Sequence, residues 1–215
     1  LRRRMSRPGN RPGRVISTAH WRQLMASVNA QAKGGSVIAI RDRALLTFGV
    51  TTALRVSECV AIDVAQVLTD SARLEVRSQS YIYKHQAKGG RAGPFVIPSR
   101  ARTALRAWLR ARAELGLEER GGALFVTTKH YNADQHVRLS KRSAQARIER
   151  WLERSGLGRE YSFHDLRHTA VTRFDQQVNG NLSLVTRFAR HSDPKHSMRY
   201  THIADAKVQE AAESL

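Results

Sequence analysis

The chain of 215 residues carries 37 lysines and arginines against 18 acidic residues, a formal net charge of +19, and 41% of it is hydrophobic. Such a length and apolar content suffice for one domain with a buried core, and the cation excess points to a polyanionic partner, nucleic acid above all, with a ribosomal-type basic surface or an anionic membrane as the rival explanations. The single cysteine, Cys59, excludes an intramolecular disulfide, and no apolar run is long enough to span a bilayer, so an intracellular, cytoplasmic protein is expected.

In chain order, residues 1–14 hold six arginines, two prolines and two glycines with no acid, a run that cannot bury enough apolar surface to fold alone. Residues 1–15 are read as a basic flexible arm or linker, able to lie on phosphate, and residues 16–215 as the folded domain. Ser17 or Thr18 is a candidate cap for a first helix that ends at Gly34-Gly35-Ser36. Ile40, Ala44, Leu45 and Phe48 then stripe a second helix, followed by T-A-L-R-V-S-E, where Ser57 could cap a short third one. Over residues 73–98 the pattern alternates polar and apolar, which predicts a small antiparallel sheet with a basic turn at Q-A-K-G-G-R-A-G and Lys88 at its tip. Ala101, Ala104, Leu105, Trp108 and Leu109 predict the next helix, with Arg102, Arg106 and Arg110 on its solvated side. Ser140 or Ser143 opens another, with Ala144, Ile148, Trp151 and Leu152 inward and Gly156 ending it. A terminal helix over 204–215 is too short to be stable unless docked. The expected class is α+β, mostly helical, with one small antiparallel sheet.

The chemistry concentrates near the end, in S-F-H-D-L-R-H-T and A-R-H-S-D-P-K-H-S-M-R-Y-T-H. His164 and Arg167 share one helix face and can converge on a single anion, while His191 and Tyr200 follow nine residues apart. Imidazoles, a guanidinium and a phenol with no carboxylate facing them suit a phosphodiester better than a metal. The i, i+4 pair His164 and His168 lacks the intervening glutamate of H-E-x-x-H, which leaves zinc the weaker reading and makes His168 a packing or intrahelical hydrogen-bonding residue. The run C-V-A-I-D-V around Cys59 reads as core rather than as a nucleophile site.

Taken together, T-A-L-R-V-S-E, the lysine hairpin, H-D-L-R-H-T and R-H-S-D-P-K-H-S-M-R-Y-T-H, in this order, resemble the catalytic domain of the tyrosine recombinases, or phage integrase family, over about residues 16–210. The resemblance implies site-specific DNA strand exchange through a 3′-phosphotyrosine, with no metal or nucleotide cofactor and with double-stranded DNA and a homotetramer on it as partners. It also implies roles. Tyr200 would be the nucleophile, Arg55 and Arg167 the phosphate clamp, His164 the general base or acid towards the Tyr200 proton, His191 a hydrogen-bond donor to a phosphate oxygen, Lys88 (or Lys84) the acid for the leaving 5′-oxygen, and Glu58 the group that steers the site from behind. Two departures stand out, since the family usually has glycine at Ala53 and commonly at Arg190. Only the arm precedes the catalytic unit, so the family's N-terminal helical domain is expected to be missing. A non-cleaving DNA-binding protein of this fold and a type IB topoisomerase-like enzyme are the alternatives.

Overall fold

The computed structural model of the chain describes residues 13–70, 73–87, 92–116, 122–127 and 137–191. Helix α1 (Thr18–Lys33) starts where the sequence places it: Ser17 is the cap, its Oγ accepting from the His20 N–H at 3.1 Å. Trp21, Leu24, Val28 and Ala32 form its buried stripe. Helix α2 (Val37–Thr52) is buried on almost every side, including Ala39, Arg41, Asp42, Leu46, Gly49 and Val50, whereas Ile40 is only half-buried. The single stripe expected from its periodicity is therefore too narrow. A helix apolar nearly all round sits at the centre of a fold.

Helix α3 (Val56–Ala61) is capped by Arg55 rather than by Ser57, because the Glu58 carboxylate reaches back to accept from the Arg55 N–H at 2.8 Å. A single turn, α4 (Val64–Val67), leads into β1 (Leu68–Asp70), which pairs antiparallel with β2 (Glu75–Val76). Strand β3 (Gln79–Ile82) pairs antiparallel with β4 (Gly93–Val96). The antiparallel structure expected over 73–98 is thus split into two ribbons of two strands, the additional strand coming from L-T-D ahead of that window.

Helices α5 (Ser99–Glu114), α6 (Lys141–Arg154), α7 (Phe163–Gln177) and α8 (Leu182–Ala189) complete the order. The five apolar positions predicted for α5 are all buried, and Arg110 is exposed on the far side with Arg102 and Arg106 partly so. Ser140 Oγ caps α6 by accepting from the Ser143 N–H at 3.0 Å, and Gly156 follows the helix at φ 76°, a conformation glycine takes without strain.

One buried carboxylate ties α2 to α6. Asp42, 1% exposed, accepts from Arg41 Nε at 2.9 Å and Nη2 at 2.7 Å, from Arg147 Nε at 2.6 Å and from Trp151 Nε1 at 2.8 Å. Elsewhere α2 and α7 approach closely: a Cβ at Gly49 would lie 3.1 Å from the Phe163 ring and 3.2 Å from Leu166. The chain entering the domain also laces onto α7. Arg14 N donates to Asp165 Oδ1 at 2.6 Å, Ile16 N to Thr169 Oγ1 at 2.8 Å, and Arg173 Nη2 to the Ile16 carbonyl at 3.0 Å. Helix α7 is thereby fixed from two sides, and it carries the site.

Candidate active site

Three chain segments meet at Arg167. Its side chain is buried at 4% exposure, Nη1 donates to the Ala53 carbonyl and Nη2 to the Ala189 carbonyl at 2.7 Å. Those carbonyls stand at the C-terminal ends of α2 and α8, where unpaired backbone oxygens concentrate partial negative charge that a guanidinium complements. Arg55 lies two residues beyond the first carbonyl and His191 two residues beyond the second. One arginine therefore draws the loop after α2 and the loop after α8 to the start of α7. Helix spacing predicts that His164 and Arg167 share a face, and it says nothing of this clasp.

The two glycine departures fall on equivalent backbone positions. Ala53, capping α2, has φ 54° and Arg190, capping α8, has φ 52°, both left-handed. A side chain there costs on the order of 1 kcal/mol relative to glycine. For Ala53 the methyl is buried in a small cluster with Ala170, Val171, Val185 and Ala189, which returns about 0.8 kcal/mol. Arg190 has no such apolar recompense. Its guanidinium folds onto Glu58, Nη2 lying 2.9 Å from Oε1, while Arg55 Nη1 donates to the same oxygen at 3.1 Å. Glu58 is fully buried and holds two arginines in place from behind.

His164, in the first turn of α7, keeps one side open to solvent. Partial burial and then the Arg167 charge pull its pKa below the ordinary 6.5, against the opposing pull of Asp165. That direction favours the uncharged imidazole, the form able to accept a proton. Asp165 is a residue the sequence reading passed over. It accepts from Ser162 N at 2.7 Å and from Ser162 Oγ at 2.8 Å, and thereby sets the helix start on which His164 sits. The S-x-x-D spacing at 162–165 was the available signal.

His191 is half-buried, its backbone N–H donating to the Thr186 carbonyl at 3.1 Å, and with Arg190 it lines a groove of about 860 Å³ between α8 and β4. Phe174 and Phe188 stack at 4.1 Å on the groove wall and support α8 against α7. His168 Nδ1 lies 3.3 Å from Thr172 Oγ1 within α7, the intrahelical role expected for it. Cys59 is fully buried, and burial together with the Glu58 charge pushes its thiol far above the usual range, so it supplies no nucleophile.

Lys88, at the expected hairpin tip, and Tyr200, the expected nucleophile, lie outside the described residues. Lys84, the alternative lysine, is exposed in the turn after β3. The base of that hairpin is firmly held. Gln66 and Gln86 bond each other's amides at 2.9 and 2.7 Å, Gln66 Nε2 donates to the Tyr81 carbonyl at 2.7 Å, and Gln86 Nε2 to the Ala61 carbonyl at 2.7 Å. This pair ties the ribbon to the end of α3, close in sequence to Arg55.

Comparison with known proteins agrees with this picture. The model of the phage integrase family matches residues 14–207. The tyrosine recombinase XerC of Psychromonas ingrahamii is 28% identical over 166 residues, covering 77% of this chain and 50% of the relative, so the chain spans about half the length of the curated relatives it matches. Among solved structures, the Tn1549 transposon integrase in complex with a circular intermediate DNA is similar with a TM-score of 0.71 at 13% identity, over 96% of this chain and 67% of that one. The catalytic domain of bacteriophage HP1 integrase matches with a TM-score of 0.55 at 16% identity, over 94% of this chain and 95% of that domain. At these identities the structural matches establish a shared fold.

Proposed function

The chain belongs to the phage integrase family, and on that premise we propose that it cleaves and rejoins double-stranded DNA at specific sites through a 3′-phosphotyrosine on Tyr200. The observation that carries this reading is the clasp of Arg167 on the Ala53 and Ala189 carbonyls, which joins the chain leading into Arg55 and the chain leading into His191 to the helix that bears His164. In the proposed step the Tyr200 oxygen attacks the scissile phosphorus and the bond to the 5′-oxygen breaks. The phenol proton passes to His164, and the leaving oxygen takes a proton from Lys88. Arg55 and Arg167 hold the non-bridging oxygens, on which charge gathers in the transition state, and His191 donates to one of them. A later attack by a 5′-hydroxyl reverses the chemistry. None of these roles calls for a metal or nucleotide. The basic arm over residues 1–15 would add sequence-independent phosphate contacts, and a homotetramer bridging two DNA sites, with the segment after Tyr200 docked on a neighbour, completes the proposal.

The direction of the His164 shift sets a pH dependence. As base, His164 must be neutral, so adduct formation at low DNA concentration falls as pH drops through its free-protein pKa, which lies below 6.5. His164→Gln has no titrating group at this place and should slow adduct formation about a hundredfold while removing that acid limb. A limb unchanged in the variant would assign the titration to another group.

The reading is tested by incubating the chain with nicked duplexes drawn from the sequence flanking its gene, in the presence of a chelator. A detergent-resistant protein–DNA adduct supports it. Tight DNA binding with no adduct favours a binding protein of the same fold, and relaxation of supercoils without sequence preference favours a topoisomerase-like activity.

A further inference from the structure

Arg190 is anomalous on two independent counts. It occupies a left-handed backbone position at φ 52°, where glycine would be at ease, and its side chain is only 10% exposed. Nη2 is ion-paired with Glu58 Oε1 at 2.9 Å, while Nε and Nη1 are buried with no hydrogen-bond partner among the described residues. Burying a cation with its donors unmade is costly, and a fold keeps such a group where a ligand completes it. Strain in the backbone of the same residue points the same way.

The surroundings indicate which ligand. Arg55 and Arg190 share Oε1 of one buried carboxylate, Glu58, and the Arg167 and Arg190 charges both act on the neighbouring Cys59 thiol. One carboxylate cannot neutralise both guanidinium groups that share it, so with Arg167 nearby the site keeps an excess of positive charge. Arg190 immediately precedes His191, and both line the groove between α8 and β4. An anion with several oxygens, seated in the groove against His191, matches the geometry of a guanidinium fork better than a point ligand would.

We propose that Arg190 is a third anion-holding guanidinium of this site, whose buried donors are completed by an oxygen of the bound phosphodiester. This rests on the strand-cleavage reading above for the identity of the anion, and it extends that reading to a residue outside the roles already assigned. Before the anion arrives, Glu58 restrains Arg190. Once the anion is bound, the same carboxylate keeps both Arg55 and Arg190 directed at it.

The test uses the full chain and inorganic phosphate as the probe, read by the side-chain Nε–Hε resonances of the arginines. Phosphate should shift the Arg167 and Arg190 resonances together, with one affinity. Arg190→Gly, which suits a φ of 52° and should remain folded by circular dichroism, should bind phosphate about tenfold more weakly. Arg190→Lys, retaining charge without the fork, should fall between. Movement of Arg167 without Arg190, or unchanged affinity in Arg190→Gly, overturns the proposal and leaves the cleavage reading standing. Movement of neither arginine removes the anion site itself, and both readings fall.

Discussion

Replacing Arg167 with alanine should lower the rate of adduct formation about a thousandfold and destabilise the fold by about 3 kcal/mol. The first effect follows, on the proposed cleavage reading, from losing the guanidinium that would hold a phosphate oxygen through the N–H groups its two carbonyl bonds leave over. The second follows from the structure alone: the Ala53 and Ala189 carbonyls would lose a buried charged donor, and the loops after α2 and α8 would lose their common anchor. Arg167→Lys separates the two, since one ammonium keeps the charge and cannot span both carbonyls with a planar fork. It should recover part of the stability and little of the activity. Single-turnover adduct formation and urea unfolding measure the two effects. A variant that unfolds like the native chain would contradict the clasp, whatever its activity.

The largest effect on stability alone is expected at Asp42, far from the chemistry. Asp42→Ala should cost about 4 kcal/mol in urea unfolding, because it leaves Arg41, 3% exposed, and Arg147 without the carboxylate they share and takes the acceptor from Trp151 Nε1. Asp42→Asn keeps the shape and one acceptor oxygen and should cost less. A loss below about 1 kcal/mol in Asp42→Ala would show that the network contributes little net stability.

Much of the helical frame was legible because its signals are local. Ser17 and Ser140 cap the helices that the sequence reading assigned to them, and the Trp108 and Trp151 stripes are buried as their spacing predicts. The misses have local causes too. Helix α8 went unread because N-L-S-L-V-T-R-F-A offers only eight helical residues, and its signal, Asn181 accepting from Leu184 N at 3.2 Å, is a single cap. The Ser57 cap failed because Glu58 supplies the capping oxygen from inside the helix. The alternating run over 73–98 marks extended chain and cannot say which strand pairs with which, so two ribbons were read as one sheet.

At the site, the residue types and their order were readable, and the joins between them were not. Nothing in H-D-L-R-H-T says that its arginine reaches carbonyls at residues 53 and 189. Nothing in T-A-L-R-V-S-E says that its glutamate also meets Arg190. Those are tertiary facts, fixed by where α2, α7 and α8 end. The two departures from glycine were visible as letters, and only the backbone shows that both stand at left-handed helix ends beside Arg167.

The central claim is that the gathered cations serve a tyrosine nucleophile, and its most direct measurement repeats the trapping assay with Tyr200→Phe and maps the native adduct by proteolysis and mass spectrometry. The account predicts that the adduct disappears in the variant, and that in the native chain the nucleotide is joined through a 3′-phosphate to the peptide containing Tyr200, with a free 5′-hydroxyl on the other strand end. An adduct that survives the substitution, or one joined through a 5′-phosphate, would contradict it.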